Sequence, residues 1–223
     1  MRKAAISFLP LLLAAAEPSE FEESLGRPIR APAVAAELRA MVREASTERI
    51  VVRGLSGGEI AVALGDVEAE RLQSYADGRF LGFHFVGYEF FGYRLVDRRM
   101  TGEAAVIETG DAPVFASDGR HFATVQLSGA EAGNLEGLGI WRVDADSTTQ
   151  ILFSEVLPQG EDWRIDGWPR ADCVSVSAIE RRAVEGEPPP SRRHIGIEVG
   201  ETIRLANSGA FRGCNVTDAT TDG

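Results

Sequence analysis

Two cysteines, three histidines and one lysine are all that 223 residues supply of those types. Each shortage closes off a class of chemistry. Cys173 and Cys214 form no C-x-x-C, and no histidine stands at ligand spacing from them, so zinc binding and thioredoxin-type redox chemistry have no support. His84, His121 and His194 show neither H-x-H nor H-x-x-x-H spacing. G-x-S-x-G, the phosphate loop and G-x-G-x-x-G are all missing, which leaves nucleophilic hydrolysis and nucleotide binding without a local motif. Basic charge is also scarce, at 23 groups against 34 acidic, a net of −11. Nucleic acid needs a concentrated basic footprint, and anionic lipid repels an acidic surface, so neither is an expected partner. No cofactor and no metal is expected. Hydrophobic residues at 44% and charged residues at 26% are ordinary globular values.

The longest apolar run, Ala4 to Ala16, is broken only by Ser7 and Pro10. At 1.5 Å per residue its thirteen residues cover about 20 Å, short of the ~30 Å hydrocarbon core. Met1-Arg2-Lys3 precedes it, Ala14-Ala15-Ala16 ends it on small residues, and Glu17-Pro18-Ser19-Glu20 opens a polar stretch. That three-part pattern reads as a secretory signal cleaved after Ala16, placing the protein in the periplasm or outside the cell with no stable membrane anchor. Removal of residues 1–16 leaves 21 basic against 34 acidic side chains, a net of −13. In an oxidising compartment Cys173 and Cys214 read as one disulfide worth roughly 3–4 kcal/mol; two buried free thiols are the competing reading.

Residues 17–48 read as a linker followed by an amphipathic helix. Val34, Leu38, Met41, Val42 and Ala45 fall at helical spacing, with Glu37, Arg39, Arg43 and Glu44 opposite. Residues 49–216 read as a single β-repeat domain, and 217–223 as a disordered tail. Ile50–Arg53 and Ile60–Leu64 flank a glycine-rich turn as a hairpin. Asp77-Gly78-Arg79 recurs 41 residues later as Asp118-Gly119-Arg120, each time leading into a strand apolar on both faces. Asp-Gly is a strong tight-turn dipeptide because glycine accepts the positive φ. Gly92–Asp97 matches Gly139–Asp144 as the next strand, and a weaker third copy runs from Trp168 through His194–Val199. Four strands in ~40–45 residues, apolar on both faces, is the pattern of a propeller blade. The expected fold is all-β, with about three antiparallel four-stranded blades in an incomplete propeller and one N-terminal helix.

Pro113-Val114-Phe115-Ala116-Ser117-Asp118-Gly119-Arg120-His121-Phe122-Ala123 resembles the P-x-F-S-P-D-G-K-x-I-A blade motif of periplasmic Tol-system propellers and related WD-like repeats, with Ala116-Ser117 in place of Ser-Pro. The resemblance implies architecture and, by analogy, a binding role.

Candidate functional residues are few. Glu161, Asp162 and Asp166 cluster around Trp163 and Trp168, and a tryptophan-lined acidic pocket would suit a sugar; glycoside cleavage needs two carboxyl groups set ~5–10 Å apart. The competing reading makes both tryptophans core anchors and the acids loop solvation. Tyr88 and Glu89, between two strands, are expected to be exposed members of an aromatic-rich stretch. His121, just after a turn, is expected to be solvated. Asp144-Ala145-Asp146-Ser147-Thr148 begins like a calcium loop but lacks its glycine and distal glutamate. Two functions follow. The first is an exported, non-catalytic scaffold that binds a protein partner or associates with itself through open blade edges. The alternative is an envelope hydrolase acting on a glycan through the carboxylates near Trp163 and Trp168.

Overall fold

The computed structural model describes residues 29–88, 90–127, 133, 135–155, 157, 160–179 and 192–199. Fourteen strands among them form four antiparallel sheets, each a meander taken in chain order. The first sheet holds β1 (Val42–Ala45), β2 (Arg49–Arg53) and β3 (Glu59–Ala63). The second holds β4 (Glu68–Tyr75), β5 (Phe80–Val86), β6 (Phe91–Asp97) and β7 (Val106–Glu108). β8 (Val114–Phe115), β9 (His121–Gln126), β10 (Gly137–Val143) and β11 (Thr148–Ser154) make the third. The fourth contains β12 (Glu161–Arg170), β13 (Cys173–Ile179) and β14 (Arg192–Glu198).

The repeated Asp-Gly turns occupy equivalent places. Asp77-Gly78 joins the first and second strands of the second sheet, and Asp118-Gly119 does the same in the third. Gly78 and Gly119 take φ of 83° and 67°, the left-handed region where a side chain would be strained. Their N–H groups donate to Tyr75 O and Ala116 O, three residues back. Ala171-Asp172 is the corresponding turn of the fourth sheet, where Arg170 faces Cys173. A fourth unit, built from the 50–64 hairpin and β1, precedes the three read from the sequence.

The expected N-terminal helix is not formed. Only Ala36–Leu38 makes a single 3-10 turn, whose N-cap Ala35 supplies no side-chain bond. Residues 42–45 pair instead with β2, Val42 facing Val52 and Ala45 facing Ile50. The strand wins because Ile50, Val51 and Val52 need a ladder partner, whereas a helix shorter than ~12–15 residues is marginal without packing. Leu38, Met41 and Val42 are buried all the same.

Three apolar clusters lie in series between the four sheets. Ile50, Val52, Ile60 and Val62 of the first sheet meet Leu72, Leu81, Phe83 and Val96 of the second. On its other face the second sheet presents Phe80, Tyr93 and Leu95 to Phe122, Trp141 and Val143 of the third. Phe122 stacks on Trp141 with centroids 5.0 Å apart. Ala123, Val125, Leu138 and Ile140 of the third sheet then pack on Val174, Val176 and Ile197 of the fourth. Strands β5 and β9 therefore bury alternate residues on opposite faces, the reason they read as continuous apolar runs. A Cβ on Gly82 would collide with the Tyr93 ring, and one on Gly139 with the Trp141 indole. Each glycine makes room for a large ring lying across its strand.

Candidate functional site

Strand β12 carries most of the residues that the sequence marked, and its irregular register sorts them onto two faces. Pairing with β13 shifts between Glu161 and Arg164, between Ile165 and Gly167, and again before Arg170. Gly167, at φ 143°, supplies the bend. Trp163, Ile165 and Trp168 all turn toward the third sheet and pack against its cluster. The Trp168 indole N–H donates to Val114 O at 2.8 Å, and its ring stacks on His121 with centroids 5.9 Å apart. His121, expected to be solvated, is half-buried in this seam. Both tryptophans are anchors between sheets.

The carboxylates look the other way. Asp166 accepts from Ser177 Oγ at 2.7 Å and Ser175 Oγ at 3.4 Å on β13, and meets His194 Nδ1 on β14 at 3.0 Å. Arg164 Nε adds a bond at 3.3 Å. Asp162 is paired with Arg192, which donates to both its carboxylate and its carbonyl oxygen. Arg192 also reaches Ser177 Oγ at 3.4 Å. Glu161 opens β12, five residues before Asp166, a separation of roughly 16 Å on an extended strand. The rings pack toward the third sheet while Asp162 and Asp166 bond to β13 and β14, and the two end carboxylates are too far apart to straddle one glycosidic bond.

His194, Ser177 and Arg192 complete this polar face, and none was singled out in the sequence. The alternation Cys173-Val174-Ser175-Val176-Ser177 was the available signal, since period two puts both serines on the face opposite the valines. Ser177 is fully buried and Ser175 is 7% exposed. Cys173, fully buried, belongs to the same set; Cys214 lies outside the described residues.

A second polar constellation lies between the second and third sheets. Asp97 is fully buried and receives Arg79 through Nε at 3.1 Å and Nη2 at 2.7 Å. Thr148 Oγ1 at 2.7 Å and the Arg99 N–H at 3.0 Å complete its shell. Burial alone would push the Asp97 carboxyl up, yet the bonds from Arg79, Thr148 and Arg99 outweigh it and hold the carboxyl below its ordinary value. Arg79 also donates to Asp144 O and Ser147 O, and Arg99 to Ala145 O. Carbonyls of the calcium-like turn are thus filled by two guanidinium groups. Nearby, the Tyr93 and Tyr75 hydroxyls lie 2.7 Å apart, and burial raises the Tyr93 phenol far above its usual range.

Tyr88 is 67% exposed, as expected, and Val86, Phe90, Phe91 and Leu127 are exposed as well. Phe91 bridges to Gly133, so this apolar rim joins loops of the second and third sheets. Glu89 lies outside the described residues. Among the described residues no helix is long and apolar enough to cross a membrane, and no group of three or more His, Cys, Asp or Glu is placed to hold a metal.

No protein-family model and no curated protein matches the chain. Among solved structures it aligns with a candidate 6-phosphogluconolactonase from Bacteroides fragilis at 12% identity and a TM-score of 0.22, over 69% of this chain. The chain spans 66% of that protein, just under two thirds of its length. A likeness this distant carries no argument.

Proposed function

We propose that the chain is an exported interaction scaffold: an incomplete propeller of stacked blades that binds a protein partner, or a second copy of itself, through blade edges and loops. The observation that carries this reading is the apolar rim of Val86, Tyr88, Phe90, Phe91 and Leu127, exposed where loops of two adjacent sheets meet. Aromatic side chains at a loop end supply large contact area and dominate interface energetics. Export is supported by the basic, apolar and small-residue segments of residues 1–20, and the propeller reading by four sequential meanders packed face to face. Buried Cys173 is compatible with a disulfide to Cys214 in that compartment.

The test is affinity capture from a periplasmic extract with the tagged protein, next to a Tyr88→Ala/Phe90→Ala variant. A specific partner or a dimer that the double variant loses is the expected result. A monomer that retains nothing, or equal capture by both forms, refutes the reading.

A further inference from the structure

We propose that His194 is a general base, positioned by Asp166, which activates water against carboxylic esters at the polar face of the fourth sheet. The proposal goes beyond the scaffold reading and does not rest on it.

Both Asp166 oxygens are occupied: Oδ1 by Ser177 and Arg164, Oδ2 by Ser175 and His194. Its side chain is only 20% exposed, and four donors hold it in place. In the proposed arrangement Nδ1 donates to this carboxylate and Nε2 carries the lone pair. The imidazole is 57% exposed, which leaves the ring open to solvent. A base held by an orienting acid, with its working nitrogen open, is the arrangement that proton abstraction requires.

Two neighbours narrow the chemistry. Ser177 is fully buried and its hydroxyl proton is directed at Asp166, which removes it as a nucleophile and leaves water. Arg192 precedes His194 by two residues on β14, on the same face and ~7 Å along the strand. Its guanidinium is tied to the Asp162 carboxylate and carbonyl and to Ser177 Oγ, and in the proposal it is the donor offered to the developing oxyanion. In the reaction, Nε2 takes a proton from water as the water oxygen bonds to the carbonyl carbon and the C=O pair moves onto oxygen. Collapse of that oxyanion breaks the bond to the alkoxide, which takes the proton back from the imidazolium. Ester and water become acid and alcohol, with no redox change and no cofactor.

The probe is p-nitrophenyl acetate, hydrolysed by the full chain, with near-UV circular dichroism run on every variant. His194→Gln is expected to lower the rate at least ~10²-fold, the minimum ordinarily assigned to a positioned base. His84→Gln should leave it unchanged, and the wild-type reaction should slow in D2O. Asp166→Asn keeps the imidazole and should still lose most of the rate. If Asp166→Asn alters the fold, Ser177→Ala replaces it as the positioning test and should lower the rate several-fold. Equal rates for wild type and His194→Gln overturn the proposal. So does a folded Asp166→Asn protein with wild-type rate, because His194 then acts as any exposed imidazole would.

Discussion

Replacing Asp97 by Asn removes one charge and almost no volume from the junction between the second and third sheets. The carboxylate is fully buried and the Arg79 side chain is 13% exposed, so the guanidinium would lose its counter-charge in a nearly dry site. Breaking a buried pair by removing one partner costs about 3–5 kcal/mol. Arg79 keeps its bonds to Asp144 O and Ser147 O, and the amide oxygen can still accept from Thr148, so the expected loss is smaller, roughly 2–4 kcal/mol. At about 2–4 °C per kcal/mol for a chain of this size, the melting temperature should fall by roughly 5–15 °C. Acid supplies the second half of the test. The folded Asp97 carboxyl lies below its unfolded value of about 3.9, so its stabilisation is complete above that pH and vanishes as pH falls through the folded value. Urea unfolding followed by tryptophan fluorescence should therefore show a gap between wild type and Asp97→Asn that narrows as pH drops from 5 toward 2. A gap below about 1 kcal/mol at pH 7, or one of constant size down to pH 2, would refute the reasoning.

Gly139→Ala should destabilise by about 1–3 kcal/mol in the same urea assay, because the added methyl meets the Trp141 indole, and a red-shifted emission should report the displaced ring. Cys173→Ser is expected to cost roughly 3–4 kcal/mol through loss of the 41-residue loop closure, and thiol titration of the unfolded, unreduced wild type should find no free thiol; two would exclude the bond.

Local turn chemistry and period two made the second and third sheets legible. Asp77-Gly78 and Asp118-Gly119 could only be tight turns, and the strands after them are apolar throughout because each meets a sheet on either side. The match of Asp97 with Asp144 was out of register. Asp97 faces Phe80, whereas Arg142 faces His121, so Asp144 falls just past the end of β10. The two residues meet through Arg79 instead of corresponding. Residues 34–45 misled because Val34, Leu38, Met41 and Val42 suit a helical stripe, and nothing local announces that β2 needs a third strand beside it. Of the polar face of the fourth sheet, only the alternation of Ser175 and Ser177 with the valines was legible. Ser177 is 11 residues from Asp166 and His194 is 28 away, so only strand pairing unites them. The bulges that turn Asp166 outward while Trp168 turns inward are set by packing against His121 and Val114.

The three clusters between sheets give the molecule the energetics of a linear chain of neighbours. Among the described residues, the inner two sheets pack on a neighbouring sheet through both faces and the outer two through one. Loosening should begin at the ends and move inward, with the Arg79–Asp97 junction among the last places to open. The loops that carry Tyr88 and Leu127 spring from those two inner sheets, so a partner docked there as proposed would grip the least yielding part of the protein.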